Sequence, residues 1–273
     1  LSGSLKYVRI EFAGYNLTAD NEINGLTLGG VGTGTTLENI QVSWGKDDTF
    51  EFFGGTVNAK YLVALSNDDD DFDFDHGYTG TIQYALSLKD PNSTNSTSSG
   101  SSDSNGLESD NEGTAPYSAT PKTRPVLKNF TFLGIKDATV ANTKLKFGNR
   151  WRRASEYDIQ NSIIAGYSTG AAFEGGATDT FTGNVVHAYT AAFSGGTPTG
   201  NQTNVSTDAT TYLKLAGAGN IFYPTTTLFN PASLRPLSTS PAYGDGTTTY
   251  KGAFHPTTAP WTATWTQFNP KNY

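Results

Sequence analysis

One plan recurs along this chain: a short strand centred on an aromatic residue or leucine, a glycine-containing turn, then a longer apolar strand. It reads as NGLTLGG (24–30) with TLENIQVSW (36–44), DTFEFFGG (48–55) with VNAKYLVAL (57–65), and DFDFDHG (71–77) with TIQYALSL (81–88). It continues as NGLESDN (105–111) with VLKNFTFLG (126–134), KLKFGN (144–149) with YDIQNSIIAGY (157–167), and AAFEGG (171–176) with FTGNVVHAY (181–189). The anchors Leu26, Phe50, Phe72, Leu107, Leu145 and Phe173 are spaced by roughly 22 to 38 residues, a range that implies stacked supersecondary units. No convincing amphipathic helix separates the strands, which argues against leucine-rich and other α/β solenoids. Propeller blades need about four strands over 40 or more residues, more than these units supply. The pattern therefore predicts an all-β chain wound as a parallel β-helix, one coil per repeat, with a β-sandwich or propeller as the other all-β solutions.

Within one repeat, NDDDDFDFDHG (67–77) carries six aspartates and two phenylalanines. Asp71, Phe72, Asp73, Phe74 and Asp75 alternate, so a strand sends both rings to the core and the three carboxylates outward. Aligning the anchors places Thr27, Glu51, Asp73, Glu108, Lys146 and Glu174 in one column, and Asp75 and Asp110 in a parallel one beside Gly29 and Phe53. Stacked in register, Glu51, Asp73, Asp75, Glu108 and Asp110 form an acidic patch that stays ionised only at a cost unless a cation offsets it. Hard carboxylate oxygens at this density suit Ca²⁺. An acidic, solvated face is the plain alternative, and a catalytic carboxylate pair a third. Asp68, Asp69 and Asp70 fall in the preceding turn and either add ligands or solubilise it. The chain has three histidines in unlike contexts, so His76 reads as a hydrogen-bonding residue and not as a transition-metal ligand.

The cationic cluster GNRWRRAS (148–155) places Arg150, Arg152 and Arg153 around Trp151. It can pair with the acidic rungs, or Arg150, Trp151, Arg152 and Arg153 can grip a carboxylate-bearing glycan. A β-elimination would need Ca²⁺ to acidify the proton alpha to a uronate carboxylate and a base to remove it, with Lys146 and Arg150 as the candidates. No GxSxG, P-loop, dinucleotide fingerprint or HExxH occurs.

The chain reads as a single domain over 1–273 with two departures from the coils. Residues 91–104 form a Ser/Asn-rich loop expected to be flexible. From about 197 to 273 the sequence is irregular and ends with Trp261, Trp265 and Phe268, read as an aromatic C-terminal cap over an open solenoid end, or as a platform for stacking sugars. Net charge of −7 and pI near 4.9 exclude a broad nucleic-acid footprint. No apolar run approaches the roughly 20 residues of a membrane helix. The absence of cysteine excludes disulfides and thiolate metal sites. Methionine is also absent, which suggests a processed or excised piece whose upstream portion is missing. Thirty glycines and 16% charged residues suit an extracellular β-rich protein.

LKYVRIEFAG, NEINGLTLGGVGTGTTLENIQV, DDTFEFFGGTVNAKYLVA, DDDFDFDHGYTGTIQYAL, GNRWRRAS with NSIIAGY, and the closing YKGAFHP with WTATWTQFNP together resemble a group of secreted or surface-displayed proteins of Bacteroidota-type bacteria. The similarity runs from Leu5 to Pro270 apart from the loop at 91–104. It implies a right-handed parallel β-helix, often exported as a lipoprotein or sorted to the surface and encoded near TonB-dependent outer-membrane transporters. It carries no agreed catalytic motif. The expectation is therefore an extracellular or outer-membrane-associated β-helix that binds Ca²⁺ and a glycan or a surface protein without catalysis, in nutrient capture or adhesion. A Ca²⁺-dependent lyase or hydrolase acting on an acidic polysaccharide and a self-assembling structural subunit are the other two readings.

Overall fold

The computed structural model describes residues 2–15, 23–93, 97–98, 101–175, 179–223 and 228–269. The first coils comprise β1 (Ser4–Glu11), β2 (Leu26–Gly29), β3 (Thr36–Ser43), β4 (Phe50–Phe53), β5 (Ala59–Leu65), β6 (Phe72–Asp75) and β7 (Thr81–Leu88). Part of the loop expected at 91–104 lies outside the described residues, and the rest holds a two-residue hairpin, β8 (Thr97–Ser98) and β9 (Ser101–Ser102). Then come β10 (Glu108–Ser109), β11 (Val126–Leu133), α1 (Ala138–Lys144), β12 (Phe147–Arg152), β13 (Asp158–Gln160), β14 (Ile163–Glu174), β15 (Thr180–Thr182), β16 (Val185–Ser194), β17 (Gln202–Val205) and α2 (Ala209–Leu213).

Two stacks of parallel strands wind into a right-handed parallel β-helix. One runs β1-β3-β5-β7-β11 and the other β2-β4-β6-β10-β12, and both continue into the long β14 and on through β16 to β17. The short strands form because large rings alternate with acids. Phe50 pairs in register with Phe72, and Phe52 with Phe74. Each pair stacks at 5.2 Å between ring centroids, close to the strand spacing, and all four rings are fully buried. Gly54 and Gly77 then turn the chain with φ of +68° and +84°, a backbone that a side chain would strain.

The long strands bend at one stacked position. Tyr7, Asn39, Tyr61, Tyr84, Asn129 and Asn161 all take left-handed φ between 51° and 63° and lie opposite one another through the registers of their neighbours. Beyond the bend both faces of the strands are buried, which explains the unbroken apolar run at 62–65 and the run at 85–88 broken only by the buried Ser87. Leu62 and Ala64 enter the interior of the coil, while Val63, Leu65, Leu86 and Leu88 face outward into a second core.

That second core is completed by the C-terminal aromatic segment, which does its capping along the flank of the solenoid. Gln41 in β3 receives the Gln267 N–H at 2.8 Å and donates to its carbonyl at 2.6 Å. Thr131 in β11 accepts from the Ala253 N–H at 2.8 Å. Phe254, Trp261 and Trp265 stack in a row above Tyr61. There the outward-facing Val63, Leu65, Leu86 and Leu88 give the rings an apolar surface to bury.

The turns are tied by buried asparagines. Asn184 accepts from the Ser162 N–H at 2.9 Å, donates to the Ile159 carbonyl at 3.2 Å and is fully buried, and Asn201 receives the Asn184 N–H one coil later. Asn184→Ala orphans both backbone groups and is expected to cost about 1–3 kcal/mol in urea unfolding.

Candidate functional site

The chemistry-bearing side chains lie on the outer face of the short-strand stack. Thr27 pairs with Glu51, Glu51 with Asp73, Asp73 with Glu108, and Glu108 with Arg150. Gly29, Phe53 and Asp75 form the neighbouring column, and the Asp110 N–H bonds to the Phe74 carbonyl on the rung below. The acidic column thus runs in register from Glu51 to Glu108.

Three expected placements differ. Lys146 is not in the column: Leu145 bridges to Ser104, and Arg150 takes the place opposite Glu108. In register Glu174 lies opposite Arg152, and Ala172 is opposite Arg150, so its rung is displaced as well. Sequence alignment misplaces these rungs because β12 puts Asn149 where the earlier rungs carry a large anchor, leaving Leu145 as a false match. Asp71, expected outside, is fully buried. The chain turns inward just before β6, and Asp71 there meets the equally buried ammonium of Lys89 at 3.3 Å.

The patch divides into two electrostatic halves. In the upper half every arginine is engaged. Arg150 binds Glu108 and Asp103, each at 2.9 Å, and Glu174 at 3.1 Å. Arg152 binds Glu108 and holds Asp110 at 2.8 Å, and Arg153 holds Asp110 at 2.7 Å. Lys146 is paired with Asp103 at 2.7 Å. Trp151 is fully buried against Tyr157 and offers no face to a ligand. Burial lifts the Glu108 carboxyl to about 7 although Arg152 and Arg150 pull it down, and the surrounding carboxylates raise Arg150 and Arg152 above the ordinary guanidinium range against their own desolvation.

The lower half has no such neutralisation. Carboxylate oxygens of Asp48, Glu51 and Asp73 lie within 4.8 Å of one another, and a second group, Asp47, Asp48 and Asp69, shares Asp48 with it. Among the described residues no lysine or arginine forms an ion pair with Asp48, Glu51 or Asp73. Glu51 accepts from Asn24, and Asp48 accepts from the Asp70 N–H at 3.0 Å. One Asp73 oxygen is shielded from solvent and has no hydrogen-bond partner. Burial pushes Glu51 up to about 8, with Asp47, Asp75 and Asp69 adding to it. Asp48 and Asp73 are raised well above the ordinary carboxylate range, first by burial, and then Asp48 by Asp73 and Asp69, and Asp73 by Glu108, Asp70 and Glu51. Asp70 is raised by burial and by Asp69 and Glu108. Asp75 accepts the His76 N–H at 2.6 Å, and the His76 ring lies against Phe53.

Asp69 was named by sequence only as a possible extra ligand of its turn, and Asp47 and Asp48 were missing from the residues singled out. Their signal was present: GKDDTFEFF (45–53) and NDDDDFDFD (67–75) superpose residue for residue, setting Asp47 on Asp69 and Asp48 on Asp70. Such an oxygen-only set matches a hard cation. Ligands at about 2.3–2.6 Å on opposite sides of Ca²⁺ are about 4.8 Å apart, the span seen here.

Searches of curated proteins and of solved structures returned no match. Residues 1–266 match the family model described as a pectate-lyase-like beta helix domain, and the chain belongs to that β-helix family.

Proposed function

We propose that this chain is an exported β-helix that binds Ca²⁺ at Asp48, Glu51 and Asp73 and, through the bound cation, an acidic polysaccharide, without cleaving it. The observation that carries this reading is the shared acidic group on β4, β6 and the turn before β4, whose three carboxylates have no cationic partner among the described residues. The family description supports a polysaccharide ligand. A non-catalytic role is favoured by the upper half of the patch. A β-elimination base must be free to accept a proton, whereas Lys146 and Arg150 are both held by Asp103, and Arg150 by Glu108 and Glu174 as well.

Titration calorimetry of chelator-treated protein is expected to show Ca²⁺ binding with proton release, because Glu51 must lose its proton to ligate. Asp73→Asn and Glu51→Gln are expected to weaken binding about tenfold or more. No heat with CaCl₂, together with an unchanged melting temperature in chelator, would sink the cation reading. Appearance of unsaturated-uronate absorbance from an acidic polysaccharide, lost in Lys146→Ala or Arg150→Ala, would replace it with the lyase.

A further inference from the structure

A second recess opens beside the acidic half, where the inserted loop leaves the solenoid. Phe12, Trp44 and Ser66 turn the chain at the ends of β1, β3 and β5 with left-handed φ of 59°, 52° and 57°. The next coil does not close this corner in the same way, because the chain departs after Lys89 into the loop, and Asn92 and Ser93 at its root fold back over it. The Ser93 hydroxyl donates to the Ser66 carbonyl at 3.2 Å. The result is a cavity of about 210 Å³ lined by Trp44, Lys46, Ser66, Asp68, Asn92 and Ser93.

Two of its polar groups lack partners. Ser66 is 1% exposed; its N–H bonds to the Leu88 carbonyl and its own carbonyl is taken by Ser93, yet its hydroxyl has no partner. One Asp68 oxygen is likewise shielded and unpaired, although the Asp68 backbone is pinned by its N–H to the Gly45 carbonyl at 3.1 Å. Buried hydroxyls and carboxylates are ordinarily satisfied, so these two ask for a ligand that donates to Asp68 and exchanges a hydrogen bond with Ser66. The wall adds an ammonium from Lys46, an amide from Asn92 and the ring of Trp44, which is held by Phe12 at 6.2 Å and Tyr223 at 5.9 Å. One carboxylate against one ammonium leaves the recess without a strong preference for either ion. Dense alternating donors and acceptors beside an indole match a hydroxyl-rich ring whose C–H face meets the electron-rich ring face. The volume is below the roughly 300–1,000 Å³ of drug-sized sites and fits one such ring.

We propose that this recess is a subsite for a single neutral glycosyl unit, with Asp68 and Ser66 as its hydroxyl-reading residues and the root of the inserted loop as its wall. It rests on the polysaccharide part of the proposed function and not on the cation. Lys46 and Asp68 directly precede Asp47 and Asp69 in the chain, so a polysaccharide carrying both acidic and neutral units would meet the two sites together.

The test uses protein labelled with 5-fluorotryptophan, whose four tryptophans include one at the recess, with Trp44 assigned by Trp44→Phe. Methyl β-glucopyranoside, methyl β-galactopyranoside and methyl α-mannopyranoside are titrated in the presence of EDTA. At least one is expected to shift the Trp44 fluorine signal saturably. Asp68→Asn is expected to weaken that glycoside about tenfold and Ser66→Ala several-fold. The proposal is overturned if none of the three shifts Trp44 up to its solubility. It is equally overturned if Asp68→Asn and Ser66→Ala, each with native near-ultraviolet dichroism, bind as the parent does. A Trp44 response without any Ca²⁺ heat removes the cation reading alone, and Ca²⁺ heat without a Trp44 response removes this subsite alone.

Discussion

Replacing Lys89 with methionine is expected to cost about 3–5 kcal/mol in denaturant unfolding at neutral pH, the largest effect of any single substitution proposed for this chain. Lys89 and Asp71 both have side chains with no solvent exposure. Besides Asp71, the ammonium reaches the Ser104 hydroxyl at 3.0 Å and the Asp69 carbonyl, and Asp71 also accepts from the hydroxyls of Thr49 and Ser87. This pair stitches the turn before β6 to the end of β7 and to the strand that returns from the inserted loop. Removing the cation leaves Asp71 as an uncompensated buried charge. Burial already raises its carboxyl and Lys89 pulls it down, so the variant raises it further and regains stability as the pH falls. The double variant Lys89→Met with Asp71→Asn is expected to recover most of the loss, because the desolvation cost goes with the charges. A single variant within about 1 kcal/mol of the parent would show that the pair contributes little beyond shape.

The second large effect is a reversal of the usual acid lability. In chelator, stability is expected to fall as the pH rises from about 4.5 to about 8 and to level off above that, in thermal or urea unfolding. The sign follows from Glu51, whose carboxyl moves from 4.5 to about 8 on folding. Between those values the folded chain holds a proton that the unfolded chain has released, so ∂ΔG/∂pH is negative. Asp48, Asp73 and Asp70 are raised as well and steepen the slope. Each unit of such a shift corresponds to about 1.4 kcal/mol, and several groups act together. Saturating Ca²⁺ replaces the protons, so its stabilisation is expected to be larger at pH 8 than at pH 5. Asp73→Asn removes one carboxylate from the cluster. It is therefore expected to be more stable than the parent in chelator at pH 8 while losing most of the Ca²⁺ response. Stability that instead rises from pH 5 to pH 8 in chelator would show that cations of the chain already neutralise the cluster.

Much of the site was legible because the short strands superpose without gaps. Leu26, Phe50, Phe72 and Leu107 align by counting, and the column from Glu51 to Glu108 follows from that register alone. The column held across the loop at 91–104 and failed past Glu108, where no large anchor marks the register. Between Leu107 and Arg150 lie a long connection and α1, and the side chain facing inward at Asn149 gives no apolar signal. The arginines' role was also hidden: in sequence they could grip a ligand, whereas in the folded chain Glu108, Asp110, Asp103 and Glu174 already occupy them.

The amino-acid sequence by itself determined the parallel β-helix and the side of β4, β6 and β10 that faces out. Ring–acid alternation leaves only one arrangement that hides Phe50, Phe52, Phe72 and Phe74 inside the coil while turning Glu51 and Asp73 to the outer side of the strand. Only the tertiary structure decided which carboxylates remain without a cation. That depends on neighbours from distant rungs: Lys89 turning in to Asp71, the arginines of β12 reaching Glu108 and Asp110, and nothing comparable reaching Asp48, Glu51 and Asp73 among the described residues. Charge compensation is a property of distances across coils, and those distances exist only once the chain has wound.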